Sequence, residues 1–383
     1  MKFNYASLIL VLSMLQSCAT RDDSTKQENW NSHMRELAQI FSEILPYLSS
    51  ENAFNKAIKS DALEEPIKNL GRMVSKVKIE FQQPHMDPSL SIVAAQFDHE
   101  IRQASSSLQN KLYPQALQQL SNLNRYCISC HTLLESNTDA FLPELSTNFE
   151  NLSYLQRGDF YLATRRFSDA VYEYERGLLD PSWAQLNQRE WTDHMQRLLS
   201  VVVRVRNSPA FTLEMVNRFF ASNSYPSELR KEVMHWRRHI VEWQLETSQK
   251  NTLMKTPKAR AQSLLDQAKI EGKINGRESV RILALRASGI LHEELASNKK
   301  ALRDPQLLYF AGIAASYLSD VEISAVPEVF FDRCILNRPN SELAAKCYAG
   351  LKALVQNSRF KSGLSPFVQD RVEYLEKLSI VKP

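Results

Sequence analysis

Apolar residues recur at alternating steps of four and three along the first third of the chain, and this spacing is the strongest constraint on its fold. The first run contains Trp30, Met34, Leu37, Phe41, Ile44 and Leu48. Three further runs with helical spacing extend over residues 63–81, 90–112 and 117–134. Because such spacing places apolar side chains on one face of a helix, four runs with mostly short connections predict an up-down-up-down bundle.

The composition favours the same fold class. Glycine accounts for only 9 of 383 residues, so a β-sandwich, a Rossmann sheet and a glycine-cradled phosphate site are disfavoured. The charges nearly balance, with 47 Lys and Arg against 43 Asp and Glu, which argues against a nucleic-acid partner. We therefore expect an all-α protein of two domains, without nucleic acid.

Residues 151–383 carry a different helical pattern, which begins with Tyr154, Gly158, Tyr161, Ala170, Tyr174, Gly177 and Pro181. This pattern resembles the tetratricopeptide repeat, in which small residues allow two helices to pack closely. A weaker match to the same pattern includes Gly312 and Phe331. The 34-residue period is not maintained between the first match and this second one. The resemblance implies an α-solenoid that docks a partner protein or peptide. An irregular helical domain without a partner is the alternative.

The N-terminus has the features of an export signal. Lys2 precedes an apolar run over residues 8–15, which is too short to span a bilayer. The run ends at Cys18 in a Leu-Gln-Ser-Cys sequence that resembles a bacterial lipobox. The resemblance implies a signal peptide over 1–17, lipidation of Cys18, a linker over 18–27 and a lipid anchor on the periplasmic side. Ala19 favours the outer membrane over the inner one. A plain secretory signal is the alternative.

The fourth apolar run ends in Cys127-Ile128-Ser129-Cys130-His131. C-x-x-C-H is the attachment signature of c-type haem. The two thiols lie on one helical face and can add to the two haem vinyl groups, and His131 can then serve as the proximal iron ligand. The composition gives about 0.001 expected matches by chance.

Three other roles for the two cysteines are weaker. A structural zinc site needs four Cys or His ligands, and no second pair with finger spacing is near. A thioredoxin-like redox pair belongs to a βαβ context, which this stretch lacks. A disulfide within one helical turn is geometrically unfavourable. The motif therefore predicts one covalent haem c.

A haem motif at the end of a fourth helix resembles the cytochrome c-prime family, over residues 28–136 with a linker at 137–150. The resemblance implies a four-helix bundle whose haem carries one electron. That family usually has a basic residue shortly after the histidine, whereas Thr132-Leu133-Leu134-Glu135 follows here. Contacts to the haem propionates must then come from elsewhere, and Arg35, Lys78 and Arg125 are the candidates.

Bundle topology restricts the distal iron ligand. The start of the first helix and the connection between the second and third helices lie at the same end as His131. Met34 is on the apolar seam and is our candidate distal ligand, and an ordinary core methionine is the alternative. His33, His85 and Met86 are rivals. If no side chain ligates, the haem is five-coordinate and open to NO or CO.

The remaining cysteines and histidines suggest no catalytic site. Cys334 and Cys347 flank a predicted turn, and they either form a disulfide or stay as buried thiols. His235 and His239 lie four residues apart, but no third metal ligand is beside them. We find no Ser/His/Asp constellation, so we expect an electron carrier or ligand-binding protein rather than an enzyme.

Three hypotheses follow. The first is a lipid-anchored c-type cytochrome with one haem for electron transfer and a helical-repeat domain that docks a redox partner. The second keeps the haem but makes it a gas-binding or sensing site. The third is a non-haem scaffold lipoprotein built on helical repeats.

Overall fold

The computed structural model describes residues 32–82, 86–133, 152–180, 188–222, 227, 230–248, 256–318, 323, 325–357 and 366–381. All regular secondary structure in these ranges is helical, and they contain no β-strand. The prediction of an all-α fold is therefore confirmed. Within the same ranges, no helix combines the length and apolar character needed to cross a membrane.

The N-terminal part consists of helices of different lengths. They are α1 (32–44), α2 (Glu51–Lys59), α3 (Glu64–Phe81), α4 (Pro88–Gln109), α5 (Tyr113–Ser121) and α6 (Asn124–Leu133), with a 3-10 turn at Leu45–Leu48 between the first two.

Capping residues and prolines fix several of these helix starts. The Ser50 side chain accepts a hydrogen bond from the Ala53 amide at the start of α2, at 3.2 Å. The Asp87 carboxylate does the same for the Ser89 amide at the start of α4, at 2.9 Å. Pro114 lies in the first turn of α5, where its missing N–H costs no helical hydrogen bond.

The structure differs from the four predicted runs in two places. The fourth run, expected as one helix, is interrupted between α5 and α6, where Leu123 is buried and the Asn124 amide donates to Asp159 of a later helix. These tertiary contacts outweigh the helical periodicity. Helix α2 was not predicted, because it buries only Phe54 and Ala57 and so gives little periodic signal.

The C-terminal part continues as helices throughout its described residues. They are α7 (Tyr154–Ala163), α8 (Phe167–Leu178), α9 (Gln188–Ser200), α10 (Pro209–Ser222), α11 (Arg230–Ser248), α12 (Pro257–Asn275), α13 (Arg281–Ser297), α14 (Pro305–Leu318), α15 (Val326–Asn337), α16 (Glu342–Asn357) and α17 (Pro366–Ser379). A π-helical turn at Val201–Val205 extends α9, and 3-10 turns at Arg277–Val280 and Ala301–Arg303 precede α13 and α14.

Small residues allow close helix packing at the predicted places. Helix α7 packs on α8, and a Cβ on Gly158 would lie 2.7 Å from a ring carbon of Tyr174. Helix α14 packs on α15, and a Cβ on Gly312 would lie 2.6 Å from a ring carbon of Phe331. Both separations are too short for a side chain, so glycine is required at each position. Each pair is thus a tight helical hairpin.

The two parts of the chain share one hydrophobic core. A continuous cluster of buried side chains includes Phe97 and Tyr126 from the N-terminal helices together with Phe330 and Phe331 of α15. Helix α15 packs on α4, and α13 packs on α6. The N-terminal helices therefore lie directly against the C-terminal ones. The expected linker at 137–150 lies outside the described residues.

Candidate functional site

The Cys127, Cys130 and His131 side chains share one face of α6. A helix turns about 100° per residue, so residues three and four apart lie one above the other. Helix α6 ends at Leu133, which places the motif in its last two turns. The structure thus provides the helical arrangement on which the predicted haem attachment depends.

Both thiols of the motif are free, and both cysteines are partly buried. Burial raises the pKa of Cys127 to about 12. Burial raises the pKa of Cys130 further, with additional contributions from Cys127 and from the charge of Asp87. Both groups are therefore protonated at neutral pH. A dithiol redox centre needs a stabilised thiolate, so this environment disfavours thioredoxin-like chemistry.

His131 is a neutral, buried imidazole. Burial lowers its pKa to about 3, and the charge of Arg165 adds to the effect. Hydrogen bonds to the backbone of Leu162 and Ala163, at the end of α7, act in the opposite direction. The Nδ1 atom is buried and has no hydrogen-bond partner among the described residues. Buried polar atoms are rarely left this way, and a ring nitrogen with a free lone pair suits a metal ligand.

An apolar cluster, which we call the end cluster, lies beside Cys130. Its members are Val77, Phe81, Leu90, Ala94 and Leu133, with Met34, Leu37, Met86 and Cys130 packed against them. Residues of α1 and of the start of α4 therefore lie at the end of α6. The cluster brings two methionines, Met34 and Met86, to the cysteine motif. Their role as iron ligands stays a prediction.

One of the two histidine rivals to Met34 already has a partner. The His33 ring hydrogen-bonds Glu80, with Nδ1 and Oε1 3.1 Å apart, so its Nδ1 is engaged. His85 and Cys18 lie outside the described residues. Nothing in the structure therefore bears on His85 as a ligand or on Cys18 as a lipidation site.

The predicted propionate contacts also need revision. Arg35 is exposed on α1, and Lys78 is in an ion pair with Asp98 at 2.8 Å. Arg125 lies on the face of α6 opposite to the cysteines. Arg165 fits better, because its charge lowers the pKa of His131 and its Nε atom is buried without a hydrogen-bond partner among the described residues. The sequence contained no signal for it, since it lies 34 residues after His131.

A buried pair of a carboxylate and an imidazole near the motif was not predicted from the sequence. The Asp87 carboxylate and the His292 ring are both almost fully buried, and their Oδ2 and Nδ1 atoms are 2.6 Å apart. Burial alone raises the pKa of Asp87, but His292 outweighs this and lowers it. Asp87 acts on Cys130 through its charge. The pair therefore connects the start of α4 to α13 beside the candidate site.

The other cysteines and histidines have structural partners. Cys334 of α15 and Cys347 of α16 form a disulfide, which was one of the two alternatives left open. His235 is 3.0 Å from Glu271, and His239 is 3.0 Å from Glu242. Among the described residues, no group of three or more His, Cys, Asp or Glu side chains is arranged to hold a metal ion.

Comparison with known proteins gives no match to this chain. No family model, no curated protein and no solved structure matches it.

The residues of α6 fit a covalent haem. Two protonated thiols, a neutral imidazole with an unpartnered buried nitrogen and a neighbouring apolar cluster are the groups that such a cofactor requires. The Arg165 guanidinium, whose buried Nε atom has no hydrogen-bond partner among the described residues, lies near the imidazole, where an acidic substituent could pair with it.

Proposed function

We propose that this chain is a lipid-anchored c-type cytochrome that transfers single electrons on the periplasmic side of a bacterial envelope. The observation that carries the proposal is the buried His131 Nδ1 atom, which has no hydrogen-bond partner among the described residues and lies on the same helical face as two free thiols. Most buried ring nitrogens of structural histidines have a hydrogen-bond partner. Ligation of a haem iron by His131 would give this nitrogen a partner, which supports the proposal.

Each residue of the motif has a defined task in this proposal. Cys127 and Cys130 hold the haem through thioether bonds, and His131 is the proximal ligand. The backbone of Leu162 and Ala163 orients the imidazole through its other nitrogen, as outer-sphere hydrogen bonds do for metal-bound histidines. The bound haem supplies a one-electron iron couple.

The surroundings of the motif complete the site. Met34 of the end cluster is the proposed distal ligand, and ligation by His and Met generally raises the reduction potential. Arg165 replaces Arg35, Lys78 and Arg125 as the proposed partner of a propionate. A buried guanidinium next to a buried carboxylate forms a charge-assisted hydrogen bond that neither group could make alone.

The arrangement of the remaining helices follows the same proposal. A four-helix bundle carries the haem, and the helices from α7 onward form a tetratricopeptide-like solenoid that docks the redox partner. The close contacts of Gly158 with Tyr174 and of Gly312 with Phe331 support hairpin packing of this type. Cys18 carries the lipid, which anchors the chain to the outer membrane.

The test is the optical spectrum of the mature protein, exported in a bacterium that attaches haem. We expect Soret and α bands that survive acid-acetone extraction. Cys127→Ala/Cys130→Ala should abolish them, whereas the matched double variant Cys334→Ala/Cys347→Ala should retain them. A colourless wild-type protein would overturn the proposal. Tolerance of His131→Ala in both spectrum and fold would support the scaffold hypothesis instead.

The distal ligand is tested separately. We expect Met34→Ala to change the spin state of the ferric protein and to speed CO binding to the ferrous protein. Met86→Ala, in the same cluster, is the matched control and should leave the spin state unchanged. An unchanged spin state in Met34→Ala removes Met34 as ligand, and fast CO binding in the wild type would favour the gas-binding hypothesis.

A further inference from the structure

A polar cavity of about 390 Å³ lies between the α5–α6 segment and helix α9. Its size is within the range of small-molecule sites, but such sites are usually lined by apolar side chains. Here Ile128 is the one apolar residue that lines it. The other residues are Gln118, Asn122, Arg125, Arg189, Asp193, Gln196 and Arg197.

This cavity is separate from the candidate haem site. Arg125 and Ile128 line it from α6. At about 100° per residue, Arg125 projects from the side of the helix opposite to the two cysteines, whereas Ile128 lies between that side and His131. None of the three motif residues lines the cavity. Loss of one site need not abolish the other.

The cavity carries an excess of positive charge. Three guanidinium groups and the carboxylate of Asp193 line it, and Arg197 is already paired with Asp159. Arg125, which is half-buried, and Arg189, which is exposed, have no ion-pair partner among the described residues. These two guanidinium groups are therefore available to bind an anion at the cavity.

The third guanidinium is held in position. Asp159 of α7 binds the Nη1 atom of Arg197 at 2.5 Å, and Tyr174 and Asn124 hydrogen-bond the same carboxylate. A guanidinium fixed by such a network loses little conformational entropy when it binds a ligand. The cavity therefore combines one rigid and two mobile cationic groups.

We propose that this cavity binds a small organic anion with at least two negative charges, such as a phosphate ester or a polycarboxylate. The planar fork of arginine matches both phosphate and carboxylate oxygens. The exposed amides of Gln118 and Asn122 can donate hydrogen bonds to the uncharged part of the ligand. The site does not depend on the proposed haem function.

The test is calorimetric titration of the full chain with pyrophosphate and with citrate, against glycerol as the uncharged control. We expect saturable binding of an anion at one site per chain, weakened by added salt. Preference for pyrophosphate assigns a phosphate ester, and preference for citrate assigns a carboxylate. Arg125→Gln/Arg189→Gln should raise Kd by about tenfold or more, because it removes two charge-assisted contacts.

The matched control is Arg303→Gln/Arg333→Gln, which removes the same charge from two exposed arginines outside the cavity. Its Kd should stay within about twofold of the wild-type value. Asn122→Glu adds a repelling charge at the exposed rim without touching the core and should also weaken binding. Absence of saturable binding, or equal losses in the cavity and control variants, would overturn the proposal.

Discussion

Two buried polar groups lie at the interface of α6 and α7, and their environments are opposite. The Asp159 carboxylate of α7 receives hydrogen bonds from Tyr174 at 2.6 Å, Asn124 at 2.9 Å and Arg197 at 2.5 Å. The His131 ring of α6 bonds the backbone at the end of α7 but leaves Nδ1 without a partner among the described residues. The first group has its hydrogen bonds satisfied within the protein, whereas the second has one ring nitrogen without a partner among the described residues.

The pKa shifts of Asp159 and His131 show how differently the protein offsets the burial of the two groups. Burial by itself raises the pKa of Asp159, but Arg197 and His194 outweigh burial and hold it well below its usual range. For His131, burial dominates and lowers the pKa. A hydrogen-bond network that offsets the cost of burying a charge stabilises the fold. A buried polar atom without a hydrogen-bond partner adds no such stability, so its presence needs an explanation other than stability.

The largest effect is expected for Asp159→Ala. This change leaves Arg197 without its carboxylate and the Tyr174 hydroxyl without its acceptor, so the free energy of unfolding should fall by about 3–5 kcal/mol. Urea denaturation measures the loss. The matched control is Asp169→Ala, whose half-exposed ion pair with Arg166 is worth less than about 1 kcal/mol. Equal losses in the two variants would contradict a structural role for the Asp159 network.

Tyr174→Phe should have an intermediate effect. It removes one hydrogen bond to a charged acceptor but leaves the other donors of Asp159 in place, so we expect a loss of about 1.5–3 kcal/mol in urea denaturation. Tyr172→Phe, on the same helix but largely exposed, is the control and should change stability by less than about 0.5 kcal/mol. A loss as large as that of Asp159→Ala would mean that Tyr174, not the ion pair, dominates the network.

The pH dependence of stability tests His131 in protein expressed without haem. Its folded pKa of about 3 lies below the ordinary value of 6.5, so the unfolded chain binds more protons between the two values. Stability from this group is therefore present above about pH 6.5 and lost as pH falls, at up to about 1.4 kcal/mol per pH unit. The difference between wild type and His131→Leu isolates this contribution. Parallel curves between pH 7 and pH 5 would show that His131 is not buried.

The smallest effect is expected for His131→Leu at pH 7.5, again without haem. The change removes an unpartnered buried nitrogen but also the hydrogen bonds to the backbone of Leu162 and Ala163. Because these two effects oppose each other, stability should change by less than about 1 kcal/mol in either direction. His292→Leu is the contrasting variant, because it leaves Asp87 buried without its partner and should cost about 3–5 kcal/mol. Equal costs would show that His131 is a structural residue like His292.

Periodicity and spacing predicted much of this architecture. The all-α class, the helix α4 over the third apolar run, the α7–α8 hairpin and the common end of Met34, Met86 and Cys130 were all predicted from the sequence. Periodicity and spacing relate residues that are close together in the sequence, and these features depend mainly on such residues. The motif itself was visible because its three residues are adjacent in sequence.

The features that escaped prediction depend on distant contacts. Arg165 approaches His131 from the turn after α7, and His292 meets Asp87 across 205 residues. The break between α5 and α6 accompanies the bond from Asn124 to Asp159. No periodicity encodes such pairs, because they arise only when the α13, α7 and α6 surfaces meet.

The central claim is that Cys127 and Cys130 hold one haem, and peptide mass spectrometry tests it most directly. The mature protein is exported in a haem-attaching bacterium, alkylated under denaturing conditions and digested with trypsin. The account predicts that the peptide spanning residues 126–157 carries the mass of one haem and no alkylated cysteine. The same peptide without haem and alkylated at both cysteines would contradict it.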